Sequence, residues 1–253
     1  MSLTAANHLR TLAFGDVAGG MWGAALHTAS PVLVFGDRSG TTWSSALSPE
    51  GWSAEGVGWS LVGEGVDLHV VPGGEAEEME SAEQRDTSAD LSGCDELCRV
   101  QGTIVIGDSP RKIDCVGTRC VIDGVDAASL GSARMVSGWF DRDEAFMLLA
   151  LRAADAVGQE SDLVAATLFD PEGWVSVDDP RLSTTYAASG LPSRANLELW
   201  IGEGETEFPR RVAGEASGEG VACEVEDTDL RVVPLRCHSR GREGTGVYVL
   251  ASF

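Results

Sequence analysis

Short runs of β-branched and apolar residues recur along the chain, each broken by Gly, Pro, Asp or Ser. Residues 31–36 (PVLVFG), 41–47 (TTWSSAL), 65–71 (GVDLHVV), 98–107 (CRVQGTIVIG), 196–202 (NLELWIG) and 246–252 (GVYVLAS) are of this kind. Several alternate between apolar and polar positions, the pattern of a strand with one face buried and one in water. The 31 glycines suit turns and bulges better than helix interiors. Residues 144–157 (EAFMLLALRAADAV) have a helical composition, but a strand followed by a loop fits them almost equally well. A short helix is expected over residues 126–134. No run reads as apolar on both faces, which speaks against a parallel sheet sandwiched by helices. The expected class is all-β with few short helices.

One five-residue phrase is nearly repeated: SPEGW at 48–52 and DPEGW at 170–174. Other matches follow in the same order: Asp16 with Asp141, Leu26 with Leu151, Ala29 with Ala154, Asp67-Leu-His with Asn196-Leu-Glu, Arg99-Val with Arg211-Val, and Arg119-Cys120 with Arg236-Cys237. Each match is short, and their shared order carries the weight against coincidence in a Gly-, Asp- and Val-rich chain. The reading is a tandem duplication, with one β-barrel-like half over residues 1–125 and a second over 126–253. An all-β unit must bury one sheet face and hide its edges, so each half is expected to be an antiparallel, lipocalin-like barrel or a strongly bent sheet. The favoured reading of residues 144–157 then becomes strand. Residues 73–96 are set apart as an acidic loop: from Glu75 to Glu96 there are nine acids against Arg85 alone and almost no large apolar side chain.

Two such halves, with tryptophans near strand starts, resemble the AttH and carotenoid-hydratase group of double-barrel proteins. The resemblance spans most of the chain at the level of architecture. It implies an apolar pocket in a barrel and, in some members, hydration of a terpenoid double bond.

Charge narrows the partners. Forty acids against 18 bases leave a formal charge of −22, which repels phosphate backbones and anionic lipid. Neither nucleic acid nor a membrane is an expected partner. Lys112 is the only lysine, a bias that suits a high-GC bacterial gene or mild salt adaptation. The first residues carry no basic stretch followed by an apolar one, and the longest apolar run, 145–151, is far short of the roughly 20 residues of a membrane helix. A cytoplasmic protein is expected, with its six cysteines as thiols. Cys94, Cys98, Cys115 and Cys120 lie within 27 residues and could instead pair or bind zinc, but their spacings are looser than those of zinc knuckles. No metal and no cofactor is expected, and the oligomeric state is open.

Seven tryptophans offer the clearest candidate chemistry. Aromatic walls hold apolar ligands at barrel mouths, although Trp also simply fills barrel ends. Trp52 and Trp174 follow turns and read as packing residues. Trp22, Trp59 and Trp139, with His27, are the ligand-binding candidates. In residues 138–146 (GWFDRDEAF), Asp141 and Asp143 would share a strand face beside Trp139 and could split into acid and base. The bland alternative is a charged turn. Asp16, in the matching place of the first half, adds to the functional reading. His69 shares a face with Asp67 and Val71, and either it or Arg152 could orient a substrate. No nucleophile elbow, phosphate loop or HExxH appears. Three functions stay open: a protein binding a small, largely apolar molecule; a hydratase- or isomerase-type enzyme using Asp16, Asp141, Asp143, Arg152 and His69; and a structural or interaction module.

Overall fold

The computed structural model describes residues 8–28, 31–55, 58–73, 95–123, 129–157, 162–202, 209–225 and 228–253. Antiparallel strands dominate them. β1 (His8–Gly15), β2 (Met21–His27), β3 (Val32–Asp37), β4 (Thr42–Ala46), β5 (Trp52–Glu55), β6 (Gly58–Gly63), β7 (Val66–Pro72), β8 (Asp95–Ile106) and β9 (Ser109–Asp123) form one sheet. Its order is β4-β3-β2-β1-β9-β8-β7-β6-β5. The other sheet holds β10 (Leu130–Trp139), β11 (Ala145–Ala153), β12 (Leu163–Asp170), β13 (Gly173–Ser176), β14 (Asp179–Tyr186), β15 (Pro192–Trp200), β16 (Arg210–Ala216), β17 (Val221–Val225), β18 (Thr228–Ser239) and β19 (Arg242–Ser252). Here the order is β13-β12-β11-β10-β19-β18-β16-β15-β14, with β17 added beside β18. Leaving out β17, the two orders are the same. In each, the first strand pairs with the last, and the sheet curls into a half-barrel.

The duplicated all-β architecture is therefore present, but much of the sequence match that suggested it is out of register. Asp16 and Asp141 do sit in equivalent turns, β1–β2 and β10–β11, and Leu26 and Leu151 in equivalent strands. The PEGW pair does not correspond. Pro49–Gly51 is a 3-10 turn between β4 and β5, closed by the Gly51 N–H donating to Ser48 Oγ at 3.1 Å, whereas residues 171–173 turn β12 into β13. Asp67, Arg99 and Arg119 are likewise one strand away from the counterparts of Asn196, Arg211 and Arg236. Pro, Asp and Gly solve turns wherever turns occur, so their recurrence marks a turn and not a homologous position. Ala29 lies outside the described residues.

Alternation sends successive side chains to opposite faces of a strand. On the central strands both faces are buried. Ala25 of β2 joins Leu12, Phe14, Leu33 and Phe35 inside the first half-barrel, while its neighbours Trp22, Ala24 and Leu26 belong to a layer between the sheets. β11 repeats the arrangement: Phe146, Leu148 and Ala150 fill the second half-barrel, and Ala145, Met147, Leu149 and Leu151 enter the shared layer. This corrects the expectation that no strand is apolar on both faces. It also settles residues 145–151, whose helical composition is that of a strand with no wet side. Strands remote from the layer keep one face in solvent, as β7 does with its strict buried–exposed alternation.

Two local expectations change. Residues 130–134 open β10 instead of a helix, and residues 126–128 lie outside the described set. Of the predicted acidic loop, Asp95 and Glu96 begin β8, and residues 74–94 lie outside the described set. Cys98, Cys115, Cys223 and Cys237 are free thiols, Cys120 is buried, and Cys94 lies outside the described residues. Among the described residues no helix is long and apolar enough to cross a membrane.

Candidate functional site

The shared layer ends in a cleft. Trp139, the last residue of β10, pairs across the ladder with Thr245 of β19, and Thr245 Oγ1 donates to the backbone carbonyl of Asp16 at 3.1 Å. This contact lays the β1–β2 turn of the first sheet against the last strand of the second. Around it lies a cavity of about 140 Å³, with Met21, Trp22, Asp37 and Thr42 from the first sheet facing Trp139 and Leu235 from the second. Two of the predicted tryptophans, one per half, thus meet in one place; Asp16 is not part of the lining, and its carboxylate accepts the Ala18 N–H of its own turn at 3.0 Å.

Charged groups stand at the rim. Asp37 ends β3, and its carboxylate accepts from the Ser39 hydroxyl, from the Ser39 N–H at 2.9 Å and from the Thr41 N–H at 3.2 Å. Burial works against its charge, but these donors and the Arg111 guanidinium at 3.6 Å outweigh it, and the carboxyl is held below its ordinary value. Asp37 is then an ionised acceptor at neutral pH, not a proton donor. Arg38 Nε donates to the Gly19 carbonyl at 2.7 Å, tying the β3–β4 turn to the β1–β2 turn. Both charges serve turns, and the walls between them are largely apolar.

The other predicted residues do not line this cleft. Asp141 and Asp143 are exposed in the turn between β10 and β11. The strand stops at Trp139, so they do not alternate along it as expected, and the charged-turn alternative holds. Asp141 Oδ1 accepts the Arg142 N–H at 2.8 Å. Arg152, at the far end of β11, pairs with Asp162 at 2.9 Å, and Arg134 pairs with the same carboxylate. His69 lies on the solvent face of β7, 3.4 Å from Asp67.

His27 and Trp59 lie inside the first half-barrel, joined by a residue that sequence reasoning set aside. The ring of Trp52 is 5.4 Å from His27 and 5.5 Å from Trp59. The Arg119 guanidinium lies 4.8 Å over Trp59 and pairs with Glu96. Trp52 follows a turn and also fills a core, and no local spacing links it to Arg119 on β9. The second half-barrel has its own internal cation: Arg210 donates to Glu144 at 2.8 Å and lies 5.9 Å from the Phe140 ring, and Arg242 pairs with the same carboxylate. Burial is the main influence lowering the affinity of Arg210 for its proton. Among the described residues no group of three or more His, Cys, Asp and Glu side chains is arranged to hold a metal ion.

No protein-family profile matches the chain, and no curated protein matches it. Solved structures do match. CghA with Sch210972 superposes with a TM-score of 0.62 at 11% identity, covering 98% of this chain and 89% of that one. A putative AttH from Nitrosomonas europaea gives 0.61 at 13%, covering 96% and 91%. Kievitone hydratase from Nectria haematococca gives 0.60 at 10%, covering 98% and 89%. The likeness runs through both half-barrels and the layer between them. In fold, the chain is an AttH-like double barrel.

Proposed function

We propose that the protein binds a small, largely apolar molecule in the cleft between its two half-barrels. One observation carries this reading: Trp22 and Trp139, contributed by different sheets, line a single cavity together with Met21, Pro234 and Leu235, its charged groups being Asp37, Arg38 and Glu219. The expected pocket inside a barrel moves outward, because Leu12, Phe14 and Phe35 fill one interior and Phe146, Leu148 and Tyr248 the other. A cavity of about 140 Å³ is close in size to the ~150 Å³ cavities that hold benzene. The formal charge of −22 and the rim acids Asp37 and Glu219 favour a neutral ligand over an anion.

A hydratase- or isomerase-type reaction on a lipid- or terpenoid-like substrate is the second reading. The likeness to kievitone hydratase supports it. Binding without dedicated catalysis is the better reading, since Asp16, Asp141, Asp143, Arg152 and His69 do not line the cavity. We place the protein in the cytoplasm on the grounds of its sequence, and we divide it near residue 125. Sheet membership supports that division, with strands up to Asp123 in one sheet and from Leu130 in the other.

Native mass spectrometry of freshly purified protein should show a small-molecule adduct. Thr42→Trp, at an exposed position on the cleft wall, should remove it. An adduct that survives the substitution overturns the placement. A wild-type protein with neither an adduct nor a tryptophan-fluorescence response to hexanol overturns the binding reading itself.

A further inference from the structure

The cleft does not end where its tryptophans end. A second hollow, of about 360 Å³, lies at the mouth of the second half-barrel, walled by Ala187, Leu191, Pro192, Ala216 and Val233. Leu191 and Val233 belong to the inner core of that half-barrel. Gly218 and Glu219, in the short connection between β16 and β17, border both hollows. That connection is a thin wall made of Ser217, Gly218, Glu219 and Gly220, with two glycines in four residues.

We propose that the two hollows act as one elongated site with Gly218 at its neck, and that the natural ligand is a neutral molecule with an extended aliphatic chain. This rests on the cleft reading and extends it. The head of the ligand lies between Trp22 and Trp139, and its chain passes Gly218 into the mouth lined by Leu191 and Val233. Three observations converge on it. The cleft alone falls short of the roughly 300–1,000 Å³ of drug-sized sites, and the larger hollow adjoining it shares Gly218 and Glu219 with its lining. The far hollow is faced mainly by apolar and small side chains, with Glu219 at the neck, which suits a hydrocarbon and repels a carboxylate. The wall at the neck is also as thin in side-chain terms as a polypeptide allows, since Gly218 has no β-carbon and a Cβ there would meet only Pro234 Cγ within 4 Å.

That glycine is the handle for a test. A β-carbon added at Gly218 would meet only Pro234 Cγ, at 3.5 Å, an ordinary contact, so a larger residue can be placed there without forcing the backbone. Gly218→Leu would plug the neck. Ala187→Trp, from an exposed position, would fill the far hollow instead. Binding of hexanol, dodecanol and dodecanoate is measured by calorimetry and tryptophan fluorescence on the full chain and both variants. Dodecanol should bind the wild-type protein at least roughly tenfold tighter than hexanol, because its added methylenes are buried in the far hollow. Dodecanoate should bind more weakly than dodecanol. In Ala187→Trp, which touches only the far hollow, the advantage of dodecanol should vanish while hexanol binding stays unchanged; in Gly218→Leu, at the wall of both hollows, dodecanol should lose its advantage over hexanol whatever the change in hexanol binding.

If hexanol binds but dodecanol gains nothing, or keeps its gain in both variants, the elongated site is wrong and the cleft stands. If hexanol does not bind either, both readings fall. If dodecanoate binds as well as dodecanol, the neutral-ligand assignment is wrong.

Discussion

Thr118 Oγ1 donates a 2.7 Å hydrogen bond to Ser137 Oγ, and both side chains are fully buried. Thr118 is on β9 of the first sheet and Ser137 on β10 of the second, so this pair is a polar pin through the apolar layer between them. A buried hydroxyl that loses its partner costs about 1–3 kcal/mol, whereas replacing both partners by apolar groups of similar shape is nearly neutral. Ser137→Ala should destabilise the protein by about 1–2 kcal/mol. Thr118→Val combined with Ser137→Ala should recover most of that. Urea-unfolding midpoints of the single and double variants decide it, and a double variant as weak as the sum of the singles would contradict the pin.

Trp22 lies against Gly36 of the neighbouring strand. A β-carbon at Gly36 would sit 2.3 Å from the indole Cζ2, so the ring occupies the space that any other residue would need. Gly36→Ala must push the indole away, at a cost of about 1–3 kcal/mol. Because Trp22 is a wall of the cleft, hexanol binding should weaken in the same variant. Unchanged thermal stability would show that the ring relocates without cost.

The buried ion pair in the second half-barrel should respond unequally to loss of its two partners. The Arg210 side chain is 6% exposed, while Glu144 has Arg242 as a second cation. Glu144→Gln leaves a buried guanidinium uncompensated, a change that typically costs about 3–5 kcal/mol. Arg210→Met keeps the hydrocarbon stem and removes the charge, and should cost clearly less. Chemical denaturation of the two variants tests the order, and equal losses would refute it.

Alkaline pH should loosen the fold. Burial pushes the thiols of Cys115 and Cys237 up to about 12 and raises Cys98 and the Tyr248 phenol well above their ordinary values. Unfolded thiols ionise near pH ~8.5, so above that the unfolded chain sheds protons that the folded chain keeps. Stability is then full below about pH 8.5 and falls as pH rises towards the folded values, by up to ~1.4 kcal/mol per pH unit for each buried thiol. Melting temperatures should decline steadily between about pH 8 and pH 10.5, less steeply for Cys237→Ala. A flat profile would overturn the assignment.

The sequence made some strands legible and hid others for one physical reason. β7 shows its alternation because one of its faces is wet, and Val66, Leu68 and Val70 stand out against Asp67 and His69. β11 carries no such signal, because both of its faces are dry and its periodicity is erased. The duplication was read correctly as a whole, yet partly from the wrong letters: Pro-Glu-Gly marks turns in two non-equivalent places, while the true equivalence of β2 and β11 lies in packing that sequence identity barely records. The cleft was half visible. Trp22 and Trp139 were candidates singly, but their meeting depends on a contact between Asp16 and Thr245, residues from opposite ends of the chain. Arg119 over Trp59 left no trace in spacing at all.

The layer that β2 and β11 share has a consequence for how such a protein can change. Neither repeat owns that layer, so a bulkier residue on one repeat must be answered by a smaller one on the other, far along the gene. Each copy is thereby the other's solvent. Drift in the two is bound together there, whereas their outward faces are free to diverge until no trace of kinship survives in the letters.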